Sequence, residues 1–208
     1  GDVVVIPNGV NIDEFSPRLR ENERASVRRR HGIAEDDIVL IFVANEFVRK
    51  GLEVAISGLA LLRRANVKLL ILGGDERIVF EEQARKLGVG KRVHFVGTVA
   101  RVSEYYAASD LFILPTSYEA FSLASLEAAA SGLPLIMTKV SGAEELIRNG
   151  ENGVFVERDA DDIADTLRRL VDDVTYRHSL GTNARAAATQ YSWDIIAQRT
   201  LSLYSEIT

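Results

Sequence analysis

Short runs of apolar, largely β-branched residues alternate along this chain with segments of helical periodicity, and that alternation leaves few folds open. Ile38-Val-Leu-Ile-Phe-Val43 is apolar at every position, so a strand made of it must be covered on both faces. Further strands are expected at Lys68–Leu72, Val93–Val96, Leu111–Leu114, Pro134–Met137 and Val154–Val156, with Val3–Ile6 as an opening apolar run. Helices are expected at Glu21–His31, Leu52–Ala65, Glu76–Leu87, Val102–Ser109, Ser122–Ala130, Ala143–Asn149 and Asp159–Asp173. Two more, Tyr176–Ala188 and Trp193–Ile207, follow with no strand between them. Such an order builds crossover units and a parallel sheet. The expected fold is α/β, with about six parallel strands, helices on both faces and extra helices at the carboxyl end.

No repeat, low-complexity stretch or linker divides residues 1–208, which read as one domain with a sizeable core: 47% of the 208 residues are hydrophobic. A net charge of −5 leaves no surplus of Lys and Arg to replace counterions along a nucleic acid, so nucleic acid is not an expected partner. Arg28-Arg29-Arg30 is the one compact basic run and reads as a solvated helix face, with Asp36 and Asp37 just beyond it. Without cysteine there can be neither a disulfide nor a thiolate metal site, which suits a reducing cytoplasm. No stretch approaches the roughly 18 apolar residues of a membrane span, so the expectation is a soluble chain for which surface association with a membrane stays open.

Ligands of an open parallel sheet bind beyond the carboxyl ends of its strands, and the residues there are unusual. They include Ala44-Asn45-Glu46 through Arg49-Lys50-Gly51, Gly73-Gly74-Asp75-Glu76, Gly97-Thr98-Val99, Thr116–Glu119 and Thr138–Gly142. Glycines are also required in such turns for steric reasons alone. In Glu119-Ala-Phe-Ser-Leu-Ala-Ser-Leu-Glu127 two carboxylates flank the point where an apolar strand turns into a small-residue helix. Free N–H groups at that helix start favour a phosphate. With the two acids no more than roughly 12 Å apart along a helical path, one meets a sugar and the other a ribose, with a diphosphate between them. The stretch reads as a nucleotide-sugar site. Arg49 and Lys50, just before the Leu52 helix, oppose its dipole unless an anion lies between them, in which case cation and dipole attract the same group. The scattered His31, His94 and His178 show no ligand spacing, so no metal is expected. Tyr105 and Tyr106 read as packing residues, and Trp193 as the anchor of the final helix.

Pro7-Asn-Gly-Val-Asn-Ile-Asp13 with Phe15 and Pro17, Arg49-Lys50-Gly51, Ala108-Ser-Asp-Leu-Phe-Ile-Leu-Pro115, Glu119 to Glu127 and Gly132-Leu-Pro134 together resemble the carboxyl-terminal half of retaining GT-B glycosyltransferases, group 1. The resemblance runs from Ile6 to the Trp193 helix, and Arg49-Lys50-Gly51 is similar to the version in lipopolysaccharide core glucosyltransferases. It implies a three-layer, Rossmann-like donor domain and a hexosyltransferase that moves sugar from a nucleoside-diphosphate sugar, UDP-sugar favoured, to a glycan or lipid acceptor. Lys50, assisted by Arg49, would hold the diphosphate and stabilise the leaving group in place of a metal, and Glu119 would accept hydrogen bonds from sugar hydroxyls. The backbone of Phe121, Ser122 and Leu123 would contact sugar and phosphates, Glu127 the ribose, and the stretch near Val99 the base. Asn45 and Gly74 complete the expected donor-binding set. No cofactor is implied, since the nucleotide-sugar is a substrate.

The chain departs from the family pattern in three places. Ala44-Asn45-Glu46 stands where many relatives carry an arginine after the first strand, removing one diphosphate cation. Ala120 and Ser122 replace a common Pro or Gly and a frequent Gly. An amino-terminal domain that binds the acceptor and supplies a catalytic histidine is absent from these residues, so the chain is expected to be the donor-binding half of a longer cytoplasmic enzyme, inactive alone and open to peripheral contact at the inner membrane face. The alternatives are a non-catalytic nucleotide-sugar binding module and a nucleotide-sugar epimerase of GT-B fold; a Gly-x-Gly-x-x-Gly dinucleotide fingerprint is missing.

Overall fold

The computed structural model describes residues 4–207. In chain order its elements are α1 (Arg20–Arg30), β1 (Ile38–Val43), α2 (Phe47–Lys50), α3 (Leu52–Leu62), β2 (Val67–Leu72), α4 (Ile78–Lys86), β3 (Val93–Gly97), α5 (Val102–Ala108), β4 (Leu111–Leu114), α6 (Leu123–Ala130), β5 (Leu135–Thr138), α7 (Ser141–Glu144), β6 (Gly153–Val156), α8 (Ala160–Asp172), α9 (Val174–Thr189) and α10 (Trp193–Ile207). The strands form one sheet in the order β3-β2-β1-β4-β5-β6, every pair parallel. Successive residues of a strand point to opposite faces, and all four residues of β4 and of β5 are buried, so both faces of the sheet's middle are covered. Helices do the covering: α3 packs with α4 and α8, α1 with α5, and α6 with α9. At Gly58 of α3 an added Cβ would stand 2.4 Å from Ile163 Cγ2, which shows how closely α8 approaches. The strand order reverses between β1 and β4, the place where a doubly wound sheet opens a crevice.

Several elements differ from expectation. The opening run Val3–Ile6 begins on a residue outside those described, and Val4–Ile6 form no strand. This part of the chain is tied instead at Val10, whose N–H donates to Tyr191 O at 2.8 Å. Helix α3 stops at Leu62, where Arg63 turns left-handed at φ 52°. The helix expected over Ala143–Asn149 survives as one turn, because local side-chain bonds outcompete it. Asn152 donates to Leu146 O and accepts from Arg148 N–H, while Asn149 accepts from Phe155 N–H.

Arg28 corrects the reading of its basic run as a solvated face: it is 2% exposed, whereas Arg29 is exposed and Arg30 pairs with Glu104. Its guanidinium bonds the carbonyls of Ala34, Glu35, Asp37 and Ala108 and reaches Asp110 at 2.7 Å. Arg20 and Arg24, two turns and one turn earlier, reach the same carboxylate at 2.9 and 2.8 Å, and Val39 N–H donates to it as well. Burial would raise the Asp110 pKa, but the arginines and the Val39 amide hold it below the ordinary value. Asp110, immediately before β4, thereby fastens α1 to the two central strands.

Candidate active site

The crevice at the strand-order reversal is a cleft of about 430 Å³, lined by the residues that follow β1, β2, β3 and β4. Two glycines bring its loops together. At Gly73, φ 145°, a Cβ would lie 1.7 Å from Ala44 O, so only glycine lets the turns after β1 and β2 touch. At Gly51, φ 83°, a Cβ would lie 2.1 Å from Pro115 O, so the α2–α3 junction lies directly on the end of β4. Ser117 N–H locks the same junction by donating to Arg49 O at 3.0 Å.

This junction carries Lys50 into the cleft, where its ammonium forms an ion pair with Glu119 from the loop after β4. The side chains are 13% and 11% exposed. A one-turn helix that the sequence did not signal, α2, ends at Lys50, so Arg49 and Lys50 occupy a helix carboxyl end, where cations are favoured, as well as the entrance to α3. Their placement for stability is thus better than the opposing dipole of α3 alone suggests. Arg49 itself does not line the cleft. Its guanidinium is held by Glu46 at 2.6 and 2.9 Å and by Tyr118 O at 2.8 Å.

The far wall is the start of α6. Ser122 caps it, its Oγ accepting from Ser125 N–H at 3.1 Å, and Phe121, Ser122, Leu123 and Ala124 all line the cleft. The first N–H groups of α6 therefore face the same space as Lys50, which suits an anion. Asn45 lines the opposite wall and accepts from Gly74 N–H at 3.3 Å; Gly74 stands behind it, off the lining. Val99, with Gly97 and Thr98, closes the β3 side.

Glu127 lies further along α6, outside the lining. Burial raises its pKa to about 7, against the lowering effect of a hydrogen bond from Tyr106. Tyr106, read from sequence as packing alone, is fully buried and does pack, but its hydroxyl also lies 3.2 Å from Glu127 Oε2 and 3.0 Å from Ala124 O. Nothing in its sequence context marks that contact. The sequence-predicted residues brought together in the cleft are thus Asn45, Lys50, Val99, Glu119, Phe121, Ser122 and Leu123, with Arg49, Gly74 and Glu127 around it. None of the three histidines lines it, and no group of three or more His, Asp or Glu among the described residues is arranged to hold a metal ion.

A model of the family described as "Glycosyl transferases group 1" matches residues 23–187, most of the chain. The chain belongs to the glycosyl transferases group 1 family. Among curated relatives it is 35% identical over 208 residues to the uncharacterized glycosyltransferase MJ1607 of Methanocaldococcus jannaschii, covering 97% of this chain and 53% of that one. It is 33% identical over 186 residues to the lipopolysaccharide glucosyltransferase WaaG of Escherichia coli, covering 87% and 50%. The chain spans about half the length of the curated relatives it matches. Among solved structures, Anabaena Alr3699/HepE in complex with UDP and glucose superposes with a TM-score of 0.86 at 25% identity, over 98% of this chain and 57% of that one. The expected Rossmann-like α/β architecture is that of a GT-B glycosyltransferase half.

Proposed function

We propose that this chain is the donor-binding half of a retaining glycosyltransferase that moves a sugar from a nucleoside-diphosphate sugar, UDP-sugar first, to a glycan or lipid acceptor held by a second domain preceding it. One observation carries this reading: Lys50 and Glu119, far apart in sequence, meet at the strand-order reversal beside the open start of α6. The HepE complex with UDP and glucose, from a relative of the same fold, supports a uridine donor.

In the free chain Lys50 and Glu119 satisfy each other. When a donor enters, its diphosphate takes the α6 amides and the Lys50 ammonium, and Glu119 turns its freed oxygens to the sugar hydroxyls. Lys50 then stabilises the charge that grows on the diphosphate as the bond from the anomeric carbon to the phosphate oxygen breaks. The acceptor oxygen attacks from the leaving-group face, its proton passing to the departing phosphate oxygen, and configuration is retained. The base lies against backbone near Val99 and the ribose toward Glu127. No metal enters this scheme. No helix among the described residues is long and apolar enough to cross a membrane. We place the enzyme on the cytoplasmic side, with peripheral contact at the inner membrane face where the acceptor is a lipid.

Thermal shifts against UDP, GDP, ADP and their hexose conjugates test this. A ligand at ten times its dissociation constant adds about 1.4 kcal/mol, roughly 3 to 6 °C for a chain this size. Lys50→Ala should remove the response to every nucleotide, whereas Glu119→Ala should remove only the extra response to the conjugate. Equal losses for UDP and UDP-sugar in Glu119→Ala would contradict its role, and a silent parent chain across all series would remove the donor-binding assignment.

A further inference from the structure

A second cleft, of about 510 Å³ and so within the size range of small-molecule sites, opens on the opposite edge of the sheet. Asp110, immediately before β4, and Pro134, immediately before β5, mark it as lying at the amino ends of the strands. Its floor is a tight crossing of α9 on the turn after α6: a Cβ on Gly181 would lie 2.4 Å from Gly132 O.

The walls carry more positive charge than the fold neutralises. Arg20, Arg177 and Arg185 line the cleft with a single carboxylate, Asp110, which Arg24 and Arg28 also claim. Arg177 is anchored by neutral carbonyls, those of Leu170 and Val171, and Arg185 by those of Ile12, Phe15 and Ala130, with Asp13 the nearby acid. Burial and Arg24 lower the pKa of Arg20, and Arg177 adds to the effect. A fourth lining group points independently to a ligand. Ser131 is 2% exposed, yet its Oγ has no hydrogen-bond partner, an unusual state for a buried hydroxyl.

We propose that this cleft binds a small phosphomonoester, its phosphate held by Arg20, Arg177 and Arg185 and by the hydroxyl of Ser131. Guanidinium groups match the oxygens of a phosphate in paired hydrogen bonds, and the dianion supplies the charge that Asp110 cannot. Ser131 donates to a phosphate oxygen and so loses its isolation. The rest of the cavity, between Pro17, Pro134 and Val174, takes the organic part of the ester.

Amide-resolved NMR titration of the chain with inorganic phosphate and with glycerol 3-phosphate, at constant ionic strength, tests the site. Saturable shifts are expected at Gly132, Gly181 and Thr182, with the ester binding more tightly than phosphate. Ser131→Ala, which breaks no existing bond, should weaken binding several-fold, and Arg177→Gln should weaken it roughly tenfold or more, as for the loss of a charged hydrogen bond. Lys50→Ala should leave it intact, which separates this site from the donor cleft. Shifts confined to the surroundings of Lys50 and Ser122, shifts that chloride reproduces without saturation, or Ser131→Ala and Arg177→Gln chains that bind like the parent would each overturn the assignment.

Discussion

Replacing Glu127 with Gln should make the chain more stable at alkaline pH while weakening its hold on nucleotide. Burial raises the Glu127 carboxyl from 4.5 to about 7 in the folded chain. Between those two values the folded state binds more protons than the unfolded one, so this group's contribution to stability falls as pH rises from about 4.5 to about 7 and stays lost above that. The gap is about 2.5 units, and at 1.36 kcal/mol per unit the ceiling is about 3 kcal/mol. Glu127 is partly exposed, and screening by water brings the expected gain from Glu127→Gln to about 1–3 kcal/mol. Geometry favours the neutral side chain too. Tyr106 has one hydroxyl hydrogen and two acceptors within reach, Ala124 O and Glu127 Oε2, so an amide that donates to the tyrosine oxygen leaves that hydrogen for the carbonyl. Urea midpoints for parent and variant, taken at about pH 8 and again at about pH 4.5, read the effect, which should be present in the first pair and vanish in the second. A variant less stable than the parent at alkaline pH, or a gain independent of pH, would refute burial as the source of the shift. UDP affinity of the same variant should fall at both pH values if Glu127 meets the ribose.

Three further outcomes follow from named contacts. Asp110→Asn strips the carboxylate from three arginines and should cost about 3–5 kcal/mol in denaturant unfolding, the range for breaking a buried pair. Gly51→Ala, with its Cβ driven against Pro115 O, should cost more than the roughly 1 kcal/mol of an ordinary helix-cap change and also lower UDP affinity in calorimetry, because Lys50 is positioned by that junction. His31 and His94 meet edge to face with ring centroids 6.5 Å apart, each with an unpartnered buried Nε2 and a pKa lowered first by burial. Because the unfolded chain then binds more protons, stability should drop as pH falls below about 6.5, and His94→Leu should blunt that drop in a pH series of thermal melts.

The elements most legible in the sequence were those set by local pattern: six apolar runs bounded by turn residues became the six strands, and the small-residue helix after Glu119 became α6. Lys50 and Glu119 were legible as motif residues, and the fold supplied their contact. What escaped was decided by distance in sequence. Tyr106 reaches Glu127 across 21 positions, and His31 meets His94 through packing that no spacing announces. Arg28 differs for another reason: the adjacent triplet Arg28-Arg29-Arg30 suggests a solvated face, whereas the informative spacing is Arg20, Arg24, Arg28, one residue per turn on a single helix face aimed at Asp110. Arg49 shows the converse: its motif position is right, yet Glu46 one turn away holds its charge outside the cleft.

The sheet is unevenly sewn. Strands β1 and β2 pair along their whole length, from Ile38 with Val67 to Val43 with Leu72, whereas β1 and β4 are joined in register only through Leu40 with Leu111 and Ile41 with Phe112. Each half, β1 to β3 and β4 to β6, is assembled from neighbours in sequence, and this short seam must close the longest gap between paired strands. Loop-closure entropy makes such a join slow, so the cleft should be the last part of the chain to acquire its shape during folding. A ligand gripping the turns on both sides of the seam would then act as a clasp, holding together two halves whose paired register at that line is two residues long.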